Sequence, residues 1–548
     1  MEYAIAVIDI GMTNKKVAVY DDSLRQLDAK YRIFEPKMVD GLPCHDLEAM
    51  EEWFIAELAG FAGKFPIKAL TVTAHGATFV CVGKDGKPAV PCVYYTHEPG
   101  EDFHRRFYGR FGKPEALQAR TGTPAFKAMI NPAKGLFFSQ EQFGEGFKNV
   151  TAVLPYPQYW SYRFTGKMGI ESTYMGNHTY LWDQVDSTFS TVARDLGVAA
   201  LIPALPAEPV LSGRNSPVVL RKSWDTLGTI SAEFAERTGL PKETIVTMGI
   251  HDSNAALLPH FAKKGERGFI LNSTGTWCVI MNPVTQYGFA PDELGKVVLF
   301  NISAFGAPIK TAIFLGGLEF ETWSELFMKR YGRKDVPGWD EALYRSTLKE
   351  KRLFLLPELT PGSGQFPLSR ARIVEGGKSY YFDARDSELT ISDYGISDHE
   401  SSDHNKSDYH KSGHPGSDYQ NSDHKKSDYE RLIAALRISL VIQTLTALER
   451  AGIEKGCEVY TEGGFRKDES YSRLFASALP DNRVFLTDID EATALGAAMT
   501  AKIALGGKSL KDLAADFTID YREQEKGSFP ELAAYREAWL AEVGKGIV

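Results

Sequence analysis

YAIAVIDIGMTNKKVAVY, residues 3–20, is an apolar run, a short polar turn and a second apolar run. The first run closes on Asp9, so the pattern predicts strand, turn, strand with a carboxylate at the lip. Gly11 lets the backbone approach a ligand closely. Thr13, Asn14 and the turn amides can donate hydrogen bonds, and Lys15 or Lys16 adds positive charge. Such a turn suits a polyphosphate with its metal ion; a plain hairpin turn with a capping Asp accounts for the same residues.

The arrangement recurs further along. GFILNSTGTWCVIM, residues 268–281, is again an apolar strand, a small-residue turn (Ser273, Thr274, Gly275, Thr276) and an apolar strand. Two copies of one hairpin in a chain of 548 residues, too long for one core, predict two large domains. Two facing phosphate loops would enclose a triphosphate between them. The boundary is expected near residue 245, giving domains 1–245 and 246–548.

Working outward in the first half, YRIFEP offers a third strand, and DLEAMEEWFIAELAGFAG a helix stopped by Gly63. IKALTVTAHGATFV is a buried-type strand that delivers His75 and Gly76 to its carboxyl end, followed by a hairpin with its tip at Lys84–Lys87. Ligands of open α/β sheets bind outside such ends, so His75 reads as a substrate contact or as a satisfied loop histidine. Residues 154–183 are dense in Tyr, Trp and Gly and carry Glu171, Ser172 and Thr173. Aromatic platforms beside hydroxyls and a carboxylate suit a sugar, and an aromatic core patch reads equally. VTMGIHDSNAALLPHFA, residues 246–262, brings His251 and Asp252 from a strand to the start of an Ala-rich helix. Asp252 is either a helix cap or a general base for a hydroxyl nucleophile, with Gly249 leaving room for substrate.

In the second half, Gly316 and Gly317 open an amphipathic helix whose first amides could meet phosphate or ribose. Glu462 to Arg466, including Gly463, Gly464 and Phe465, form a strand-to-helix turn that could hold a nucleotide base with the Ala-rich helix DEATALGAAMTAKIALG. Residues 203–216 read as a connecting stretch. From Ser392 the chain repeats Ser-Asp-His/Tyr plus two polar positions to about residue 427; with almost no aliphatic side chains the tract cannot bury a core, and reads as a disordered insertion or, through His399, His404, His410, His414 and His424, as a weak site for a divalent transition metal.

Composition narrows the chemistry. A formal net charge of −9 argues against a general nucleic-acid binder. Five scattered cysteines without a CxxC pair fit a reducing compartment and no zinc framework. No charged-then-apolar leader is evident and no run of about 18 apolar residues is expected to span a bilayer, so the cytoplasm is the expected location.

Taken in order, Asp9–Asn14, TAHGATFV with its GKDGKPAVP hairpin, YRFTG then EST, GIHDSNAAL, STGTW, FLLPELTPG, TEGGF and DEATALGAA resemble the FGGY carbohydrate kinases over nearly the full chain. The resemblance implies an α/β fold with two ribonuclease-H-like, actin-like ATPase domains and a cleft between them, the first binding sugar and phosphate and the second ATP. It implies ATP and Mg²⁺ as cosubstrates, a small-molecule sugar as the partner, and a homodimer as one assembly. It places Asp252 as the catalytic base, Asp9 with the metal, and Thr13, Asn14, Thr274, Gly275 and Thr276 in the phosphate loops. Gly463, Gly464 and Phe465 fall in the adenosine site, and His75 and Gly76 where xylulose kinases carry a Met-His-Gly of the sugar site. Tyr94 to Glu98 replace the Trp-Asn-Asp-x-Arg of many members, and PGSGQFP replaces a Gly-Glu-Arg loop. These departures point to rhamnulose-like or fuculose-like sugars. The alternative function is a nucleotide-regulated interaction protein of the chaperone or actin type, or an inactive kinase homologue.

Overall fold

The computed structural model describes residues 1–206, 218–385, 388–391, 417–489 and 491–545. The opening hairpin forms as β1 (Ala4–Ile10) and β2 (Asn14–Asp21), followed by β3 (Gln26–Ile33) and helix α1 (Leu47–Ala62). Next come β4 (Ile67–Ala74), the single-turn helix α2 (Ser172–Met175), β5 (Thr226–Thr229), β6 (Ile245–Thr247), β7 (Ile250–His251) and α3 (Asp252–Lys264). These strands order β5-β6-β4-β1-β2-β3, with β7 also pairing β4. Neighbours β1 and β4 run parallel, as do β4 and β6, whereas β1, β2 and β3 form an antiparallel meander. Alternate residues of β1 and β2, including Ile8, Val17 and Val19, meet Met50, Phe54 and Leu58 of α1 in one core. Each such fully buried side chain contributes about 1.5–3 kcal/mol of transfer free energy.

The second hairpin forms as β8 (Phe269–Thr274) and β9 (Cys278–Pro283), followed by β10 (Pro308–Phe314) and α4 (Gly316–Tyr331). Then come α5 (Ser417–Ala451), β11 (Glu458–Gly463), β12 (Arg483–Thr487), α6 (Ala492–Gly506) and β13 (Tyr521–Glu523). Here the order is β10-β9-β8-β11-β12-β13. Strands β11 and β12 are parallel and β12 and β13 antiparallel, as β4 with β6 and β6 with β5 are in the first sheet. The duplication read from two hairpins thus extends to a whole sheet.

Two compact units result, each assembled from separated segments: Met1–Leu271 with Met281–Thr311 and Asp488–Asp520, and Asn272–Ile280 with Ala312–Thr487 and Tyr521–Val548. In the first, α6 lies on β1, β4 and α3. A Cβ on Gly496 would fall closer to Ala255 O than any real side chain sits, so only glycine lets the two helices approach this far. The small-residue face of α6 is therefore a packing face.

Three sequence expectations change. The Lys84–Lys87 hairpin forms, with Gly83 N–H donating to Lys87 O and Ala89 N–H to Cys81 O at 2.8 Å each and Val82 bridging Pro88, but it is short, and strand Phe79–Gly83 carries its longer ladder with Val150–Pro155. Pro88 and Pro91 lack the donors a continuous ladder needs. Of the 392–427 tract, 392–416 lies outside the described residues, and α5 begins within it at Ser417. Likewise 207–216 of the connecting stretch lies outside them. Finally, one helix, Lys426–Ala451, does reach the length and apolarity of a membrane span, yet its apolar window is 94% buried inside the molecule, as befits a core helix.

Candidate active site

Three parallel strand ends carry the candidate residues of the first unit. Asp9 on β1 is level with Thr73 on β4, Ile10 with Ala74, and His251 on β7 with Ala74. Asp9, His75 and Asp252 therefore emerge at one edge of one sheet, where side chains leave the strands unpaired.

Asp9 faces Lys16 across the hairpin. The Lys16 ammonium pairs with Glu491 Oε2 at 3.0 Å, and Tyr31 Oη donates to Glu491 Oε1 at 2.9 Å. Burial pushes the Asp9 carboxyl up to about 7; Lys16 opposes the shift, and Asp252 and Glu491 add to it. Charge is disfavoured there until a cation arrives, the condition a metal ion relieves. Among the described residues no group of three or more ligating side chains gathers. One carboxylate is what Mg²⁺ uses when phosphate oxygens and water supply its other ligands.

The turn itself leaves Thr13 and Asn14 exposed. Lys15 is fully buried, and its Nζ donates to Met12 O at 2.7 Å and Thr13 O at 3.4 Å. Burial lowers its pKa to about 8. Gly11 sits where a Cβ would come 3.0 Å from Asn14 O, a tight contact that glycine relieves in this turn.

Asp252 opens α3, its Oδ1 accepting from Ser253 N at 2.6 Å. Burial raises its pKa, with His75, the Ser253 donors and His178 pulling the other way. His75 is 6% exposed, its Nδ1 2.6 Å from Gly76 O. Burial holds His75 and His178 at about 4 and His251 at about 3, so all three rings are neutral near pH 7. A raised carboxylate ringed by neutral imidazoles is a base with polar neighbours able to orient hydroxyls.

Glu171 is brought to the same region but fully buried. It accepts from Thr173 N and Tyr174 N at 2.7 Å each, Thr173 Oγ1 at 2.8 Å and Ser223 Oγ at 2.9 Å. Its oxygens are engaged within the protein, where they hold α2. Sequence reading overlooked Asn177 and His178 just beyond α2, although the Asn-His pair stood within the aromatic stretch it singled out. Tyr95, within the Tyr94–Glu98 departure, has its ring 5.3 Å from that of His75.

The second unit gathers the other loop. Thr274 Oγ1 donates to Glu462 O and accepts from Phe465 N at 3.0 Å. A Cβ on Gly463 would strike Thr274 O, one on Gly317 would strike Gly275 O, and one on Gly316 would lie 2.6 Å from Cys278 Sγ. Leu318 N also donates to Thr276 O at 3.3 Å. Both Gly-Gly pairs are thus seated on Thr274–Thr276, making one backbone-lined platform. Gly464 follows Gly463 into the turn, and Phe465 packs against Phe320 and Tyr471 at 5.9 and 4.6 Å.

Residues 266–388 match the family model described as carbohydrate kinase FGGY, C-terminal domain. No curated protein matches the chain by sequence. Among solved structures, a carbohydrate kinase from Novosphingobium aromaticivorans is 25% identical, with both chains covered in full and a TM-score of 0.72. A xylulose kinase from Lactobacillus acidophilus is 13% identical over 99% of each chain, at a TM-score of 0.71. Plasmodium falciparum glycerol kinase, solved with ADP, is 13% identical over 100% of this chain and 98% of its own, at 0.72.

Proposed function

With the chain an FGGY carbohydrate kinase, a phosphotransferase, we propose that it moves the γ-phosphate of ATP to a hydroxyl of a ketose in carbohydrate catabolism. The ketose is a deoxyhexulose or pentulose such as rhamnulose, fuculose or xylulose. Asp252, raised by burial at the head of α3 and ringed by His75, His178 and His251, is the observation that carries this reading.

Asp252 takes the proton of the attacking hydroxyl as the oxygen bonds to the γ-phosphorus and the bond to the ADP oxygen breaks. Asp252 then returns the proton to solvent. Asp9 would hold a Mg²⁺ ion carried by the nucleotide, which would supply neutralisation of phosphate charge. Gly11, Thr13, Asn14 and the amides of Thr274, Gly275 and Thr276 would bind phosphate oxygens. Gly316 and Gly317 support the second loop, and Gly463, Gly464 and Phe465 would receive the adenosine. His75 and Gly76 would contact the sugar, with Glu171 acting behind them through α2. We assign sugar binding to the first unit and ATP binding to the second, a cytoplasmic location, and a homodimer as the assembly to test.

A coupled ADP-release assay over a panel of ketoses tests the reading. Wild type should turn over at least one ketose with Mg²⁺ and ATP, and Asp252→Asn should lose about 10²-fold or more in kcat. Undiminished turnover in Asp252→Asn, or no ketose-dependent ADP release by wild type, would overturn it.

A further inference from the structure

His251 Nε2 stands between two polar groups, 2.8 Å from Asn177 Nδ2 and 3.2 Å from Asp252 Oδ1. Asn177 and His251 are both buried, at 2% and 4% exposure. A bare nitrogen lone pair facing an ionised carboxylate at that distance is repulsive, so an ionised Asp252 selects the tautomer with the proton on Nε2. The amide ends of Asn177 are near-isosteric, and with its oxygen turned to Nε2 the single N–H serves both acceptors. His251 Nδ1, buried without a hydrogen-bond partner, is then the nitrogen that carries the lone pair.

The rest of the ring's setting is equally constrained. His251 N–H donates to Thr173 Oγ1 at 3.1 Å, and that hydroxyl donates to the buried Glu171. A Cβ on Gly76 would come within 2.8 Å of Asn177 Nδ2 and of His178 Nε2, so the absence of a side chain at 76 is what admits the amide. The titratable groups acting electrostatically on Asp252 are Asp9 from β1, His75 beyond β4, Tyr95, Tyr174 on α2, and His178. Apart from the Ser253 donors in the same turn, His251 Nε2, at 3.2 Å, is the side-chain nitrogen placed beside the Asp252 carboxylate among the described contacts.

We propose that His251 is a positioning residue for Asp252, donating from Nε2 to Oδ1, and that Asn177, admitted by Gly76, fixes the imidazole in that orientation. This rests on Asp252 being the base. The donor keeps the carboxylate ionised at lower pH and holds its free oxygen toward the substrate hydroxyl; it touches no reacting atom.

The test uses the full chain and the ketose that wild type turns over, with kcat and KM followed against pH. His251→Leu removes the donor, His251→Gln restores an N–H at the Nε2 position, and Asn177→Leu frees the ring. In His251→Leu, kcat should fall about tenfold or more and the acid limb should move up by about one pH unit, because a carboxylate that loses a donor binds its proton more tightly. KM for ATP should stay within about twofold. His251→Gln should return the limb toward wild type, and Asn177→Leu should move it in the same direction as His251→Leu by less. An acid limb unmoved in folded His251→Leu, or a His251→Gln variant as displaced as His251→Leu, would overturn the proposal. Asp252→Asn in the same series separates the two failures: retained turnover there sinks the base itself, whereas lost turnover with an unmoved limb in His251→Leu sinks only the positioning pair.

Discussion

Asp9 is held at a cost to the fold. Its carboxyl is raised from an ordinary value of 3.8 to about 7, chiefly by burial. The folded chain therefore binds a proton that the unfolded chain has lost. The associated stability is complete below about pH 4 and disappears as pH rises through about 7. Asp9→Asn removes the charge and should raise the melting temperature of the ligand-free protein at pH 8 by a few degrees, about 1 kcal/mol or more, while abolishing Mg²⁺-dependent turnover. A lower melting temperature would show that the carboxylate is instead paired within the fold. Because metal must displace that proton, the Mg²⁺ concentration for half-maximal turnover should climb as pH falls below 7. Legibility at this scale was uneven. Asp9, His75 and Asp252 could be found because each ends an apolar strand, a signal carried by adjacent residues. Asn177 and His178 arrive through a loop whose contacts span long sequence separations, and no local pattern marks them. Glu171 was visible as a carboxylate, but the four donors that engage it come from the folded context.

Among the elements, the helix pair α3 and α6 connects packing to chemistry. Gly496 sits on Ala255, within the helix that begins at Asp252. Gly496→Ala should push the two apart, cost about 1–3 kcal/mol, and lower kcat through displacement of Asp252 without changing any group that touches substrate. Differential scanning calorimetry with sugar-saturation kinetics checks both effects; a variant with wild-type stability and kcat would refute the close seat. The hairpins β1–β2 and β8–β9 were legible because alternation and small-residue turns are local signals. Less so was the start of α5: the repeat at its head lacks the aliphatic spacing that announces a helix, yet Ser417 onward continues the helix behind it. The hairpin after β4 was legible from its turn, whereas its shortness, with prolines beyond the turn, and the longer ladder to a partner about seventy residues away were not.

At the scale of the whole molecule, two sheets with one strand order account for the recurrence of the opening hairpin. Residues 392–416 fall between β-strand and helix of the second unit, away in sequence from every residue assigned to chemistry. Their deletion should leave ketose turnover within about twofold of wild type; a collapse of turnover in a still-folded deletion would show that the repeat serves the reaction. The segment pattern of the first unit carries one more implication, for synthesis on the ribosome. Helix α6, which seats Gly496 against Ala255 and lies along β1, is translated only after the sheet it covers and most of the second unit. At roughly 5–20 residues per second, the face of β1 and β4 that awaits α6 stays uncovered for tens of seconds after it emerges. A nascent chain halted before residue 492 therefore carries an unfinished first unit, and chaperone capture should peak on chains stalled in that interval.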